Sequence, residues 1–477
     1  MDGASPDPGD DELRAALTRL VRQLVQEDST PDRRRGEDLL PILDAHLGVA
    51  ADELPVLVEQ IMMHRWADTD IALAELVARD PDARLLGVGG GDQRHHSSLS
   101  DLMSNAAWGR FRSGQVDRLN VATGPDTERA TVGFGLHLFR HAGAPMAVLQ
   151  RVGSPEYGSQ ARLEVLAVDP DAAAAMLAGL RDEAMRRSVL WRQVISFSGN
   201  PYGRSMAGLT FHRRPELPAS HVVLPEGTLD QVRAHVVGLG QHRDRLREQG
   251  QHLKRGVLLY GPPGTGKTHT VRHLVSAALD TTVVLISGTE MAHVGAAAQI
   301  ARAHQPAIVV IEDCDLIAED RDHHFGGGAS PLLFTLLDAM DGLDEDADVV
   351  FLLTTNRAEA LEKALAQRPG RVDLAVEIPL PGEADRGALI SLYAANLRFS
   401  AAAVSRAARE SAGTTASYAK ELVRRAVLVA AMDGREPRDD DLRAANEELQ
   451  SDTARLTRAL LGAPGDTTQN LPPSTTS

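Results

Sequence analysis

The sequence predicts an α/β fold organised around a parallel sheet that carries a phosphate-binding loop, preceded by a helical segment and a small α/β or α+β domain. Three observations predict it. Gly261-Pro262-Pro263-Gly264-Thr265-Gly266-Lys267-Thr268 follows the apolar run Val257–Tyr260 and opens a helix-like segment, His269–Leu279; that strand–loop–helix setting is the one such a loop requires. Two further apolar runs, Ala307–Ile311 and Val349–Thr355, have the unbroken character of strands buried on both faces. Each leads into polar residues, where open α/β sheets place their ligands.

Taken in order, residues 1–10 are rich in Asp, Gly and Pro and read as disordered. Residues 11–83 read as a helical unit. Leu13, Ala16, Leu17, Leu20 and Leu24 recur at helix spacing, and further helices are expected at Arg35–Leu47, Glu53–Met63 and Asp70–Ala78. Residues 84–99 contain Gly87, Gly89, Gly90 and Gly91 and then Arg94-His95-His96-Ser97. No lysine follows these glycines and no partner ligands stand at metal spacing from the histidines, so the stretch reads as a flexible linker.

Residues 100–212 change character. Thr131–Phe139 alternates, Pro145–Val152 and Ala161–Val168 read as strands, and Asp171–Ser188 as a helix. Trp108, Phe111, Phe134, Phe139, Trp191 and Phe197 concentrate the scarce aromatics there and supply a core. The prolines of Arg213–Pro218 make an extended connector, and Leu229–Arg247 reads as a helix with Gly250 at its end. The phosphate-loop domain is expected over 213–382 and a helical domain over 383–455. Residues 456–477, rich in Thr, Pro and Ser, read as a disordered tail.

At 477 residues, with 43% apolar and 24% charged side chains, the chain has the composition of a soluble multidomain protein. Its formal charge of −16 argues against indiscriminate binding to nucleic acid or an anionic membrane. Cys314 is the single cysteine, which excludes an internal disulfide framework and a cysteine zinc site. The acidic start carries no signal-like segment, and no run approaches eighteen apolar residues; a cytoplasmic location is expected. Of 50 basic residues only Lys254, Lys267, Lys363 and Lys420 are lysine, and one of the four lies in the phosphate loop.

The chemistry follows from residue types. Glycines let the loop turn its N–H groups and the helix N-terminus onto phosphate oxygens. Lys267 reaches the outer phosphates and the Thr268 hydroxyl reaches Mg²⁺; Gly261, Pro262, Pro263, Gly264, Thr265, Gly266, Lys267, Thr268 and His269 form the expected nucleotide-binding set. Ala307–Ile311 ends in Glu312 and Asp313, and phosphoryl transfer needs one carboxylate for hydrated Mg²⁺ and one to polarise the attacking water. Asn356, after the second run, can orient water without adding charge. Arg368 and Arg371 bracket a Pro-Gly turn and can stabilise charge that develops during transfer.

Together these residues resemble the AAA (AAA+) family of ATPases. Gly261–Thr268 corresponds to Walker A, Ile308–Asp313 to Walker B and Asn356 to the sensor-1 position. Arg368–Asp373 is similar to the arginine-finger segment, Asp341-Gly342 to the Asp-Gly turn before it, and Asp385–Leu449 to the helical lid. The resemblance covers residues 220–450 and implies a P-loop NTPase sheet with a lid, ATP and Mg²⁺ as cofactors, and a ring of six with arginines supplied by the neighbour. Two departures stand out. The Glu312-Asp313 order is reversed, as in the branch containing the mitochondrial Rieske-protein translocase. That branch spans a membrane and this sequence shows no span, so its substrate does not carry over. Glu312 is assigned to Mg²⁺ and Asp313 to water. In Ser287–Gly295, which is similar to the pore loop of protein-threading members, His293 stands where an aromatic is usual, and this weakens threading.

The leading expectation is an ATP hydrolase that remodels, unfolds or disassembles a protein partner presented through the N-terminal region. The alternative is a regulatory switch or scaffold with slow hydrolysis. A metabolic kinase explains neither the arginine segment nor the helical domain, and charge disfavours a nucleic-acid role.

Overall fold

The chain divides into two compact units, Met1–Val189 with Pro201–Gly208, and Leu190–Asn200 with Leu209–Ser477. The computed structural model describes residues 36–106, 111–153, 160–197, 208–314, 336, 338–342, 346–357 and 371–451. The expected helix around Leu13–Leu24, Trp108, Arg368 and both expected disordered ends lie outside these residues.

The first unit is an antiparallel sheet of seven strands: β1 (Leu57–Ile61), β2 (Arg84–Val88), β3 (Ser113–Gly114), β4 (Asp117–Ala122), β5 (Glu128–His141), β6 (Ala144–Arg151) and β7 (Ala161–Ala167). The order is β1-β7-β6-β5-β2-β3, with β4 also on β5. Side chains alternate between two cores because successive residues of a strand point to opposite faces. From β6, Ala147 and Leu149 join Phe134, Leu136 and two helices, α1 (Leu39–Leu47) and α3 (Leu99–Ala106). Met146 and Val148 join Phe139, Leu163 and the other two, α2 (Trp66–Val77) and α4 (Pro170–Arg186). The sheet is therefore covered on both faces.

Three expectations need correction here. Glu53–Met63 is not helical: Ala51–Glu53 is a single 3₁₀ turn and β1 follows. Pro55 forces the preceding Leu54 into an extended conformation (φ −87°, ψ 143°), and the apolar stretch beyond it completes the sheet against β7. Residues 84–99 are not a linker but β2, a 3₁₀ segment and the start of α3. Gly87 is there for close approach, since a Cβ would lie 1.9 Å from the Gln115 backbone. His95 is half-exposed, with its ring packed edge-on against Phe134 at 5.0 Å. Residues 39–189 thus share one sheet, so the boundary expected between 83 and 100 falls inside it.

The second unit carries a seven-stranded sheet in the order β14-β10-β13-β12-β11-β8-β9. Its strands are β8 (Val194–Phe197), β9 (Leu209–His212), β10 (Arg255–Tyr260), β11 (Thr282–Ser287), β12 (Ala307–Glu312), β13 (Val349–Thr355) and β14 (Leu374–Glu377). All neighbours are parallel except the β8–β9 edge pair. The parallel sheet expected from the apolar runs is present, and the unit begins at Leu190 rather than at 213. No local signal marks β8 as its member; pairing with β11 puts it there. The expected helix at Leu229–Arg247 is broken into Thr228–Arg233 (α5), a π turn and two short helical pieces. Helices α6 (Lys267–Ala277) and α7 (Val294–Ala303) cover the sheet. Four helices close the unit: α8 (Glu383–Tyr393), α9 (Ala401–Glu410), α10 (Ala416–Met432) and α11 (Asp439–Gln450). Leu389, Tyr418, Leu422, Leu442 and Leu449 give them their own core.

Candidate functional site

The site grows from the carboxyl end of β10, flanked by β13 and β14. The strand stops at Gly261 because a side chain cannot be accommodated there. Its φ is 145°, and a Cβ would lie 2.2 Å from the Ile378 carbonyl. Gly264 and Gly266 also take positive φ, 76° and 112°, which bends the loop into the first turn of α6. The Lys267 ammonium is buried and donates to the Gly261 and Pro262 carbonyls at 2.8 Å each. Thr265 Oγ1 donates to Pro262 O at 2.9 Å.

This loop forms one wall of a cavity of about 430 Å³. Val222, Val223 and Leu224 form a second wall, and Leu389 and Tyr393 of α8 with Ser417 and Lys420 of α10 a third. The Ser417 N–H donates to the Gly264 carbonyl at 3.3 Å, joining the helical segment to the loop. His269 Nε2 contacts the His221 carbonyl at 3.0 Å, and burial holds the imidazole below its ordinary pKa. The lining combines cations (Lys267, Arg272, Lys420) with apolar side chains (Val222, Val223, Leu224, Leu389). That combination suits a polyphosphate joined to a flat base.

The two acids at the end of β12 face different surroundings. Glu312 is half-buried and bonded to the Thr268 side chain. Burial raises its pKa, and the adjacent Asp313 adds to this, while the Thr268 bond and Arg272 oppose it. An exposed hydroxyl beside a carboxyl whose charge burial disfavours is a donor set that fits a hard divalent cation such as Mg²⁺. Asp313 lines the cavity with Asn356. Its φ is +53°, a conformation that costs a non-glycine residue energy. Three bonds hold it: Asp313 N–H to Thr354 Oγ1 at 3.1 Å, Cys314 N–H to Thr354 O at 2.9 Å, and Asn356 Nδ2 to Asp313 Oδ1 at 3.4 Å.

Arg371 is not brought to this cavity. It sits at the opposite end of β10, its carbonyl pressed on Gly256, where a Cβ would lie 1.8 Å away. From Gly256 to Gly261 the strand covers roughly 17 Å. Its guanidinium pairs with Asp341 (Nε to Oδ1 at 2.6 Å, and Nη2 to Oδ2) and is 12% exposed. His293 does not stand alone either. Phe197 of β8 lies flat against its ring, with centroids 4.7 Å apart and planes at 15°. The residues that sequence reasoning missed are those of the second and third walls, although Lys420 was visible as one of four lysines.

A strand, a Gly-rich loop closed by lysine and threonine, and carboxylates at the end of a parallel strand one place removed in the sheet define a P-loop nucleotide-binding domain. Residues 257–380 match the family described as ATPase family associated with various cellular activities (AAA). Residues 257–380 thus form an AAA ATPase domain within the chain. It is 34% identical over 266 residues to an ATP-dependent zinc metalloprotease FtsH of Acidothermus cellulolyticus, which is 52% of this chain and 39% of that protein. Over 212 residues it is 32% identical to proteasome-activating nucleotidase 1 of Halobacterium salinarum (42% and 52%). Over 162 residues it is 38% identical to 26S proteasome regulatory subunit 10B of Dictyostelium discoideum (31% and 40%). The chain thus spans between about two fifths and half of each of these relatives. Among the described residues no helix is long and apolar enough to cross a membrane.

Proposed function

We propose that the chain hydrolyses ATP as a ring oligomer and uses the energy to unfold or remodel a protein partner. The observation that carries this reading is the cavity itself, where the phosphate loop, Asp313 and Asn356 converge and from which Arg371 is absent. Lys267 and the loop amides bind the phosphates. Glu312 and Thr268 hold Mg²⁺, which when bound neutralises charge on the transferring phosphoryl group. Asp313 takes the proton of the attacking water and Asn356 orients that water. Arg371, remote from its own chain's cavity, completes the site of a neighbouring copy; Arg368 belongs to the same segment. The family relatives bear names tied to proteolysis and the proteasome, which supports a protein substrate. The sequence has no His-Glu-x-x-His stretch, the pattern that holds a protease zinc on a helix, so the metalloprotease part of one name is not carried over.

Mixing tests the assignment. Arg371→Ala and Asp313→Asn chains should each bind ATP and each fail to hydrolyse it, and a mixture should recover part of the turnover. No recovery would leave a monomeric enzyme. The switch reading draws support from the Asp313 carboxylate, one methylene shorter than a glutamate and held on a strained backbone. It predicts that Asp313→Asn retains the biological output.

A further inference from the structure

The antiparallel sheet ends on one side at β1. Its inner edge is paired with β7 throughout, from Leu57 with Val165 to Ile61 with Ala161. Among the described residues no strand pairs with its outer edge. Such an edge presents free N–H and C=O groups, and proteins ordinarily blunt it with lysine, proline or a covering element. β1 carries the opposite. Leu57, Val58 and Met62 are 39%, 47% and 50% exposed, and Val168, directly after β7, is 47% exposed. Four of the eight exposed large apolar side chains in the described residues therefore lie on this strand, beside it or at the end of its partner. Chance scatter of single apolar residues needs no explanation, whereas clustering along an unpaired edge does.

Beside the strand, between β1 and α4, runs a groove of about 190 Å³. Ile61, Leu177 and Leu180 floor it, and Arg65 and Arg181 stand at its rim. Glu59 is the one carboxylate lining it, and it is already bonded to Arg181 at 3.3 Å. The groove is thus net positive in a chain of formal charge −16, which selects an acidic occupant over a second copy of this acidic chain.

We infer that the outer edge of β1 receives an extended, acidic stretch of unfolded polypeptide as an added strand, with an apolar side chain in the groove and a carboxylate against Arg65. Main-chain bonds along the edge supply sequence-tolerant affinity, and the groove supplies selection. This names what the remodelled partner presents and rests on that reading for its purpose, though the binding itself needs no nucleotide.

The test uses the full chain without nucleotide and reduced, carboxymethylated α-lactalbumin, a permanently unfolded acidic polypeptide, as the probe. Amide exchange at 57–61 should slow by roughly tenfold or more when the probe binds. Val58→Lys, on the exposed edge, should weaken the probe's affinity by about tenfold, and Arg65→Glu should weaken it by a smaller factor. Met432→Lys, which changes a still more exposed apolar side chain on α10 (81% against 47% for Val58), should leave it unchanged. Probe binding without protection of 57–61 overturns the inference. So does protection already present without the probe, which would mean that the chain or a second copy occupies the edge. An equal loss in Met432→Lys would reduce the effect to general stickiness and also overturn it. ATP hydrolysis by the same variants reports on the proposed function separately. If Val58→Lys loses the probe and keeps its ATPase, only partner capture has been touched; if the unaltered chain captures the probe and hydrolyses nothing, only the ATPase reading fails.

Discussion

Among the described residues each of the two sheets has seven strands, and they use them differently. In the parallel sheet, β10, β12 and β13 are buried on both faces, so all the chemistry is pushed to the strand ends, where Gly261, Glu312, Asp313 and Asn356 stand. In the antiparallel sheet the chemistry of the strands is spent on two separate cores, and polar groups enter the interior in pairs. Asp70, 4% exposed, accepts from the Val132 N–H at 2.9 Å, from Gln150 at 3.0 Å and from Arg129 at 3.0 Å. The parallel sheet is therefore a platform for a ligand, while the antiparallel one is a body with a surface to offer.

Three substitutions sharpen or break that contrast. The largest effect belongs to Lys267→Ala, which should weaken nucleoside triphosphate binding by a hundredfold or more, about 2.7 kcal/mol. Calorimetry with Mg-ATP reads it, and the unfolding of the antiparallel unit should not move. Asp70→Ala comes next. Removing the acid strands buried donors, at a cost of roughly 2 kcal/mol. Denaturation of the full chain should show the antiparallel unit unfolding earlier while ATP affinity is retained. If affinity falls in step, the two sheets do not act as separate bodies.

The smallest effect lies in the closing helices. Asp441 accepts from the Arg438 N–H at 2.8 Å in the first turn of α11, and both its oxygens take bonds from Arg435 at 2.6 Å. The Arg435 bonds, with lesser help from Arg438, push its pKa from 3.8 down to about 2. A depressed carboxyl pKa stabilises the fold above the unfolded value, and the contribution is lost as pH falls from near 3.8 through about 2. Asp441→Asn should cost about 1 kcal/mol at neutral pH, the scale of a lost cap, and should flatten the acid limb of a stability–pH curve.

The same contrast explains what could be read in advance. Walker-type motifs are local: Gly261 to Thr268 must be contiguous, and both carboxylates follow one apolar run, Ala307–Ile311, so the centre of the candidate site is legible in the residues alone. Leu57 finds its place only through Val165, far along the chain. Without that partner, the spacing of Leu54, Val58 and Ile61 reads as a helix face, and the bias imposed by Pro55 goes unheard. β8 was assigned to the wrong unit for the same reason. The cavity's outer walls are equally non-local, since Val223, Tyr393 and Lys420 become neighbours only after folding. His293 shows the limit from the other side. It lacks an aromatic neighbour in sequence, and Phe197 provides one in space.

The bond from the Ser417 amide to the Gly264 carbonyl has a mechanical corollary. It fastens the leading turn of a helix to the loop of the candidate nucleotide site, so any rearrangement of that loop on binding would tug on the helical cap. Occupancy would then be reported as cap stiffness: nucleotide should raise the melting point of the closing helices in proportion to the logarithm of its concentration, even in a chain too slow to turn it over.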